Sequence, residues 1–580
     1  MPTVFFPKEH TQISVASGTL LLDAIRNAGL SVDAPCGGRG TCKKCTVMIQ
    51  NGRAAGIRQS CRFTVTEDIS VLLSPSLSQE QILGNGDSKR EITAPNLTCV
   101  HAVIPKATIN DPFSVSMAIK KALGEHVRIP LSVLSNLYTS LEQLEYEGEF
   151  VLFQDTLIGI RPSHAPVYVL AYDIGTTTVV SYLLDALTGK QISVSGVLNP
   201  QTAYGADVIS RCEYDLKNPE HTLTRIIRTA LNSLAIQNAE KAGISPLDIC
   251  FAVIAGNTCM QHLYLGVSTT SLIRAPYMAT VDELQLEHAA DFGLSIHPLA
   301  KVCTLPSIAG FVGGDTVGVL LSLPENTFSR CTLILDIGTN GELVLGHHDK
   351  RYTCSTAAGP AFEGAKISCG MRGASGAIDH VSLEDSQLVY SVIGNTVPSG
   401  ICGSGLIDLI ACLLKLDIIS SRGRINRPEK WTPEAAELYS HRFTRRDGVS
   451  AFLLTDDESG IYLTQKDIRE VQLAKAAIAT GIELLCQKME ISVSEIQSVL
   501  LAGAFGNYLS PKSACQIGLI PSVLLNRIQS IGNAAGEGAK LAALSRDVLK
   551  SSCSIAKETS FVELASSKEF QTAYLSRLNF

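Results

Sequence analysis

Residues 167–185 read VYVLAYDIGTTTVVSYLLD, an apolar run that ends at Asp173, turns through Gly175 and continues as a second apolar run. This pattern predicts two buried strands joined by a tight turn. It returns at residues 332–346, TLILDIGTNGELVLG, where Asp336 takes the place of Asp173. A strand–Asp–x–Gly–Thr–turn–strand unit that occurs twice, 163 residues apart, indicates two related lobes.

The repeated unit resembles the hairpins of the acetate/sugar kinase, chaperone and actin superfamily of ATPases, in which each lobe sends one hairpin into a central cleft. The resemblance implies that Asp173 and Asp336 position magnesium, directly or through water. The turns would then offer backbone amides and hydroxyls to phosphates, and the residues concerned are Gly175, Thr176, Thr177, Gly338, Thr339 and Asn340. Glu342, beside the second turn, either orients the attacking water or is a strand residue that faces solvent.

A further glycine-rich stretch fits the same superfamily. Residues 498–511, SVLLAGAFGNYLSP, resemble its adenosine motif. The resemblance implies that Gly503, Ala504 and Phe505 line the adenosine, because small residues let the nucleotide lie against the backbone. No G-x-x-x-x-G-K-[ST] motif occurs in the chain, which excludes a P-loop fold.

Two predicted helices begin with glycines. Gly313 and Gly314 precede Asp315 at the start of one, and Asp315 is either a site residue or a plain helix N-cap. Residues 400–415, GICGSGLIDLIACLLK, begin the other, and their glycines suit an anion or a contact between domains.

A cysteine cluster stands near the front of the chain, where residues 36–45 read CGGRGTCKKC. The spacing is C-x5-C-x2-C for Cys36, Cys42 and Cys45, and Cys61 follows after 15 residues. Thiolates bind iron readily, and a two-iron cluster needs four of them. The three glycines in the loop allow backbone amides to approach the sulfurs. A zinc site, which usually has two C-x2-C pairs, and purely structural cysteines are the alternatives.

The cysteine spacing resembles that of plant/adrenodoxin-type [2Fe-2S] ferredoxin domains, and its first gap matches the adrenodoxin-like variant. The preceding order of two short strands and a helix is that of a ubiquitin-like β-grasp. The resemblance implies that Cys36, Cys42, Cys45 and Cys61 hold the cluster. The interval before Cys61 is shorter than in ordinary ferredoxins, so Cys99 is the alternative fourth ligand. Residues 58–73, RQSCRFTVTEDISVLL, favour Cys61, because they read as a cysteine entering a closing strand.

The composition excludes several classes of protein. The chain has 580 residues, 45% of them hydrophobic, and a net charge of -7, which argues against a nucleic-acid surface. No apolar run approaches the roughly 18 residues that a bilayer span needs. The start, MPTVFFPKEHTQ, lacks the basic and apolar segments of a signal peptide. We therefore expect a cytoplasmic protein with no membrane partner, in which most of the 17 cysteines are buried apolar residues.

The expected fold class is multidomain α/β. Residues 1–76 are expected to form a [2Fe-2S] ferredoxin-type β-grasp domain, and residues 77–165 a linker and a small connecting domain. A two-lobed actin-like (ribonuclease H-like) ATPase follows. Its first lobe, the middle domain, is expected at 166–325, and its second lobe, the C-terminal domain with nucleotide-binding motifs, at 326–580.

The combination of these domains, with DIGTT, DIGTNGE and LLAGAFG as they stand here, closely resembles the reductive activators of corrinoid-dependent enzymes. The resemblance implies that the [2Fe-2S] cluster gives one electron to inactive Co(II) and reduces it to Co(I). ATP, bound together with Mg²⁺, would drive this step, which supports corrinoid-dependent methyl transfer. The implied partners are an upstream electron donor and a corrinoid protein, either of acetyl-CoA synthesis or of a methyltransferase or O-demethylase system. The family resemblance also implies a homodimer.

Three other functions fit parts of the pattern. One is an ATP-driven electron donor to another radical or dehydratase enzyme. Another is a carboxylate or sugar kinase with a regulatory cluster, and the third is a redox-sensing scaffold that binds nucleotide without turnover. The dehydratase-type activators usually bind one [4Fe-4S] cluster between two subunits through cysteines of the ATPase domain, whereas here a separate domain carries the cysteines.

Overall fold

The computed structural model of the protein describes residues 1–30, 32, 34, 38, 40, 45–52, 54–73, 94–218, 220–359, 361–364, 366–455, 460–564 and 568–580. Of Ala504 and Asn507 it describes the backbone alone. No helix in these ranges is long and apolar enough to cross a bilayer.

The N-terminal unit is a small sheet covered by one helix. Its elements are β1 (Thr3–Phe6), β2 (Thr11–Ser14), β3 (Thr19–Leu20), α1 (Leu21–Asn27), β4 (Thr46–Ile49), β5 (Gly56–Gln59), β6 (Thr64–Val65) and β7 (Ile69–Leu73). The main sheet has the order β2-β1-β7-β4-β5, with β1 and β7 parallel. Val4, Phe6, Ile25 and Val47 are buried between this sheet and α1. This is the β-grasp arrangement that the sequence predicts.

A three-stranded sheet with two helices follows. Its elements are β8 (Leu97–Val103), α2 (Val115–Leu123), α3 (Leu131–Gln143), β9 (Glu147–Phe153) and β10 (Thr156–Arg161), in the sheet order β10-β9-β8. Ser114 caps α2 by accepting a hydrogen bond from the Met117 amide at 3.2 Å. Ile119 and Leu137 pack on Phe150 to form a separate core. The predicted linker at 77–93 lies outside the described residues.

The first large sheet contains the first Asp-Ile-Gly-Thr turn. Its elements are β11 (Tyr168–Ile174), β12 (Thr178–Asp185), β13 (Gln191–Leu198), α4 (Val208–Lys217), α5 (Thr222–Ala242), β14 (Ile249–Gly256), α6 (Thr258–Leu265), β15 (Gln285–His288), β16 (Lys301–Thr304) and α7 (Gly314–Ser322). The strand order is β13-β12-β11-β14-β16-β15. Every residue of β14 is buried, which explains its unbroken apolar sequence ICFAVIAG.

The second large sheet and its neighbours contain the second turn. The first half comprises β17 (Thr332–Ile337), β18 (Gly341–His347), β19 (Lys350–Thr356), β20 (Ala377–Glu384), β21 (Gln387–Val392), β22 (Gly400–Ile401), α8 (Gly403–Lys415), α9 (Pro433–Tyr439), β23 (Phe443–Arg446), β24 (Val449–Leu453) and β25 (Tyr462–Thr464). The second half comprises α10 (Gln465–Met489), β26 (Ser498–Ala502), α11 (Gly503–Tyr508), α12 (Pro511–Gln516), β27 (Ile528–Gly532), α13 (Ala534–Leu544), α14 (Arg546–Glu558), β28 (Thr559–Phe561) and α15 (Lys568–Ser576).

The two large sheets repeat one topology. β11 runs antiparallel to β12 and parallel to β14, and β17 runs antiparallel to β18 and parallel to β26. The second sheet has the order β27-β26-β17-β18-β19-β28. Each Asp-Ile-Gly-Thr turn therefore follows the same strand of its sheet, as the sequence repeat predicts.

One helix from the last quarter of the chain packs on the first sheet. Ala539 and Ala542 of α13 share a core with Val169 and Phe251. Asn96 holds the end of this helix, because its side-chain amide donates to the carbonyls of Ala542 and Ala543 at 2.8 and 3.0 Å. The division at residue 325/326 stays a prediction, and α13, from the range expected for the second lobe, lies against the first.

Candidate functional site

The first turn, between β11 and β12, is held by a closed set of hydrogen bonds. The Gly175 amide donates to the Thr178 carbonyl at 2.9 Å, and a Cβ on Gly175 would lie 2.8 Å from that oxygen. Only glycine therefore fits here. Asn257 donates to the Thr176 hydroxyl at 3.0 Å, which turns that side chain into the first lobe. The hydroxyl of Thr177 is directed toward the second lobe.

The second turn meets the first at one carboxylate. The Gly338 amide donates to the Asn340 carbonyl at 2.8 Å, and this bond closes the turn between β17 and β18. The hydroxyls of Thr177 and Thr339 both donate to Oε2 of Glu363, at 2.7 and 3.0 Å. The structure therefore brings together the two predicted phosphate turns. The sequence analysis missed Glu363, which lies in the loop after β19 with no motif around it.

Four half-buried carboxylates line the same region. Asp173 and Asp336 lie at the ends of β11 and β17, Asp315 in the first turn of α7, and Glu342 at the start of β18. Burial raises the pKa of Asp173 to about 6, although a hydrogen bond from Asn533 opposes the shift. Burial, followed by the charges of Asp315 and Asp173, raises the pKa of Asp336 to about 7. Burial also raises the pKa of Asp315 to about 6.

The structure decides two questions that the sequence left open. Helix α7 begins at Gly314 with Gly313 as its cap, so Asp315 is not the N-cap but a first-turn residue beside the other carboxylates. Glu342 does not face open solvent. It accepts a hydrogen bond from the Ser355 hydroxyl at 3.3 Å, and burial and the charges of Asp315 and Asp336 raise its pKa well above the usual range.

This arrangement suits a cation that also binds phosphate. Among the described residues, none of the four carboxylates forms an ion pair with a lysine or arginine. Within the same ranges, no group of three or more His, Cys, Asp or Glu side chains is positioned to hold a metal by itself. Mg²⁺ keeps several waters and takes one or two carboxylates together with phosphate oxygens, so the donor set fits that ion.

The predicted adenosine motif adjoins the carboxylates. Gly503 has φ +81°, and a Cβ there would lie 2.7 Å from Oδ1 of Asp336. The Phe505 ring stacks on Phe362 at 5.4 Å between centroids. A Cβ on Gly403, the first residue of α8, would lie 1.9 Å from the Phe362 carbonyl oxygen. The two glycine-led stretches therefore meet at one side of the cleft, while the Ala504 side chain lies outside the described residues.

Arg211 of α4 is a second residue that the sequence analysis missed. It is fully buried, and its guanidinium donates to the carbonyl of Thr176 and, at 2.9 Å, to that of Gly205. Burial lowers its pKa to about 10. Arg211 thus places a positive charge directly behind the first turn. In the sequence it is one polar residue of an amphipathic helix, and no local signal distinguishes it.

The structure describes two of the four predicted cluster ligands. Cys45 and Cys61 pack together with Leu22 and Ala34, whereas Cys36 and Cys42 lie outside the described residues. Gly40 has φ +74°, and a Cβ there would lie 2.4 Å from the Arg62 side chain.

Cys99, the alternative fourth ligand, lies in a different part of the molecule. It is on β8 and packs against the core of the first lobe. Burial raises its pKa to about 11. The described geometry therefore supports Cys61 over Cys99.

Three family models match successive parts of the chain. A 2Fe-2S iron-sulfur cluster binding domain matches residues 5–73, the RACo middle region matches residues 168–324, and the C-terminal domain of RACo, the ASKHA domain, matches residues 330–580.

Individual relatives agree with the family models. The chain is 36% identical to the corrinoid activation enzyme RamQ of Eubacterium limosum, over all of this chain and 99% of that protein. It is 24% identical to the [Co(II) methylated amine-specific corrinoid protein] reductase of Methanosarcina barkeri, over 71% of this chain and 77% of that one. A solved reductive activator for corrinoid, iron-sulfur protein superposes with a TM-score of 0.76 at 30% identity, over 100% of this chain and 98% of that chain.

Proposed function

The chain belongs to the family of reductive activators of corrinoid proteins, and we infer that it reduces inactive Co(II) corrinoid protein to Co(I) in an ATP-dependent step. It is an ATP-hydrolysing electron transferase with a [2Fe-2S] cluster, and the reduction supports corrinoid-dependent methyl transfer. One observation carries this conclusion: a ferredoxin-type domain and both ATPase regions match this family along a single chain.

We propose the following roles for the cleft residues. Asp173 and Asp336 position Mg²⁺ through their carboxylates, and Glu342 orients the attacking water. The two turns hold phosphates, and the predicted adenosine motif holds the base and ribose. The turn and adenosine residues are Gly175, Thr176, Thr177, Gly338, Thr339, Asn340, Gly503, Ala504 and Phe505. The meeting of both turns at Glu363, and the raised pKa of three aspartates beside them, support this assignment.

We propose that Cys36, Cys42, Cys45 and Cys61 hold the cluster, which supplies one electron when bound. The packing of Cys45 and Cys61 in one small apolar group excludes water from this side of the site. A backbone hydrogen bond also joins the segments that carry these two cysteines, because the Ser60 amide donates to the Cys45 carbonyl at 2.8 Å.

A two-state estimate gives the scale of the free energy that coupling to nucleotide binding would involve. Moving a two-state equilibrium from 1:99 to 99:1 takes about 5.5 kcal/mol of differential binding. For one electron, 59 mV corresponds to about 1.4 kcal/mol, so this energy equals roughly 0.2 V. Closure of the two lobes on nucleotide can shift a redox equilibrium by that amount only if nucleotide and partner discriminate between the same two conformations.

The identity of the corrinoid partner is a finer proposal. Two candidates are a corrinoid protein of acetyl-CoA synthesis and one of a methyltransferase or O-demethylase system. The solved activator acts on a corrinoid, iron-sulfur protein, whereas the archaeal reductase acts on a methylated amine-specific corrinoid protein. The rates of Co(I) formation, measured with one representative of each class, decide between the two candidates. We also propose a homodimer, which light scattering of the purified protein tests, and an upstream electron donor that reduces the cluster.

The test of the function is an anaerobic mixing experiment. The reduced protein is mixed with a Co(II) corrinoid protein, with and without Mg-ATP, and the visible spectrum is followed for Co(I). We expect Co(I) only when ATP is present. Absence of Co(I) with every corrinoid class, from a protein whose cluster spectrum is intact, would reject the function and favour a dehydratase-type donor.

A further inference from the structure

A single carboxylate oxygen joins the two phosphate turns. Oε2 of Glu363 accepts hydrogen bonds from Thr177 of the first lobe and Thr339 of the second. Its other oxygen faces the backbone of the second turn, where a Cβ on Gly338 would lie 3.9 Å from Oε1. The carboxylate therefore occupies the space between both turns.

The loop around Glu363 fixes this position. Phe362 is buried, and its ring stacks on Phe505. Gly364, with φ +72°, donates from its amide to the Ala361 carbonyl at 3.0 Å, and a Cβ on it would lie 2.6 Å from the Met371 nitrogen. Glu363 thus projects from a tight turn whose backbone is held in place, while its carboxylate is held between the lobes by the two threonine hydroxyls.

We propose that Glu363 is a latch that stands where a nucleotide phosphate binds and must be displaced when nucleotide enters. The inference rests on the proposed function, because its ligand is the nucleotide of the same cleft. In the free protein, the latch holds the two turns together and keeps their hydroxyls oriented. When nucleotide binds, a phosphoryl oxygen takes over the donors that Glu363 releases.

Hydrogen-bond accounting and charge both favour the exchange. A threonine hydroxyl has one proton to donate, so the hydroxyls of Thr177 and Thr339 cannot serve Glu363 and a phosphate oxygen together. A carboxylate beside a phosphate is also a juxtaposition of like charges, which costs free energy when water is excluded. Nucleotide affinity is therefore lower by the free energy of opening the latch.

The test measures nucleotide affinity and hydrolysis separately in two variants. Glu363→Ala removes the side chain, and Glu363→Gln keeps its shape but removes the charge. By titration calorimetry with Mg-ATP and a non-hydrolysable analogue, we expect both variants to bind about tenfold more tightly than the native protein. Single-turnover experiments measure the hydrolysis of bound ATP separately, so that a change in affinity is distinguished from a change in the chemical step. Glu384→Ala, at an exposed strand end of the same lobe, is the control with the same change in net charge as Glu363→Ala.

Each other outcome has a distinct meaning. Unchanged or weaker affinity in both Glu363 variants overturns the latch, and unchanged affinity with lost hydrolysis assigns Glu363 to the attacking water instead. A merely structural role would weaken binding of nucleotide and lower the melting temperature of Glu363→Ala together. If the native protein and Glu384→Ala bind no Mg-ATP, it is the proposed function that fails rather than the latch.

Discussion

Asp336 lies beside the backbone of Gly503 in the cleft. The absence of a side chain on Gly503 leaves room for it, and the charges of Asp315 and Asp173 act on it directly. We expect Asp336→Asn to keep the visible spectrum of the cluster but to lose ATP-dependent Co(I) formation by about a hundredfold or more, because Mg²⁺ in the proposed site would lose a charged ligand. Anaerobic spectroscopy of both signals checks this. Native rates in this variant would refute the magnesium assignment.

The raised pKa of Asp315 predicts that replacing this residue with asparagine stabilises the protein at high pH but not at low pH. Its folded-state pKa of about 6 lies above the unfolded value near 3.9, so the cost of charging it is absent below pH ~4 and complete above pH ~7. Asp315→Asn removes this cost, and we expect about 1 kcal/mol of added stability at pH 8 after allowance for solvent screening. At pH 4 we expect no gain.

Thermal unfolding without Mg²⁺ or nucleotide, compared at the two pH values, measures this effect. Asp349→Asn, an exposed change in the β18–β19 hairpin, is the control and should behave alike at both pH values. Asp315 also accepts a hydrogen bond from the Thr316 amide at 2.7 Å. A destabilised Asp315→Asn at pH 8 would show that weakening this hydrogen bond outweighs the removal of the buried charge.

The fourth cluster ligand is decided by a pair of serine variants. Cys61 packs beside Cys45, whereas Cys99 packs against the first lobe. We expect Cys61→Ser to lose most of the [2Fe-2S] absorption and iron, because a serine hydroxyl is a poor substitute for a thiolate ligand. Cys99→Ser should keep both. Iron content and the visible spectrum measure the outcome, and loss of the cluster in Cys99→Ser would reverse the assignment.

At the residue scale, the sequence predicts what sits in a repeated motif. It indicates Asp173 and Asp336 as candidates because each ends an apolar run and precedes a Gly-Thr turn. It does not indicate Glu363 and Arg211, since one comes from an irregular loop and the other from an amphipathic helix. Their proximity to the turns depends on how separate elements pack, which no local spacing records.

At the scale of elements, α7 and α13 approach each other through glycine. A Cβ on Gly538 would lie 1.8 Å from the Gly318 carbonyl oxygen, which real atoms cannot do. Gly538→Ala gains about 1 kcal/mol of helix propensity but forces the two helices apart, at a cost at or above the 1–3 kcal/mol usual for overpacking. We therefore expect net destabilisation, visible as a lower denaturation midpoint. Lys550→Ala, at an exposed position of α14, is the control. An unchanged midpoint in Gly538→Ala would contradict this packing.

The same contact shows where element-level prediction ends. The hairpins β11–β12 and β17–β18 follow directly from alternating apolar runs and glycine turns. The packing of α13 on the first sheet does not follow from the sequence in this way. Its sequence AAGEGAKLAAL predicts a face of small residues but does not indicate which surface that face covers. Small residues indicate close packing, while the partner is determined by the tertiary fold.

At the scale of the whole molecule, a short segment joins the first turn to the ferredoxin-type domain. Asn199 donates from its side chain to the Gly175 carbonyl and from its backbone amide to that of Thr177, both at 2.8 Å. Four residues later, the Ala203 carbonyl accepts a hydrogen bond from Arg26 of α1. The Arg26 guanidinium lies 4.7 Å from the centre of the Tyr204 ring. A movement of the turn on nucleotide binding would therefore be transmitted to the ferredoxin-type domain, which carries the [2Fe-2S] cluster.

This connection predicts that Arg26→Ala uncouples ATP from electron transfer. Without the guanidinium, α1 loses both its hydrogen bond and its stacking on Tyr204. We expect normal cluster absorption and ATP hydrolysis, but an ATP-dependent rate of Co(I) formation lower by about tenfold. Amide hydrogen exchange at residues 21–27 should respond to ATP in the native protein and not in the variant. Arg26→Lys keeps the charge without the planar fork and should lie between them. An Arg26→Ala protein whose Co(I) formation still depends fully on ATP would show that the signal does not pass through this contact, because both lobes and the cluster remain intact in that variant.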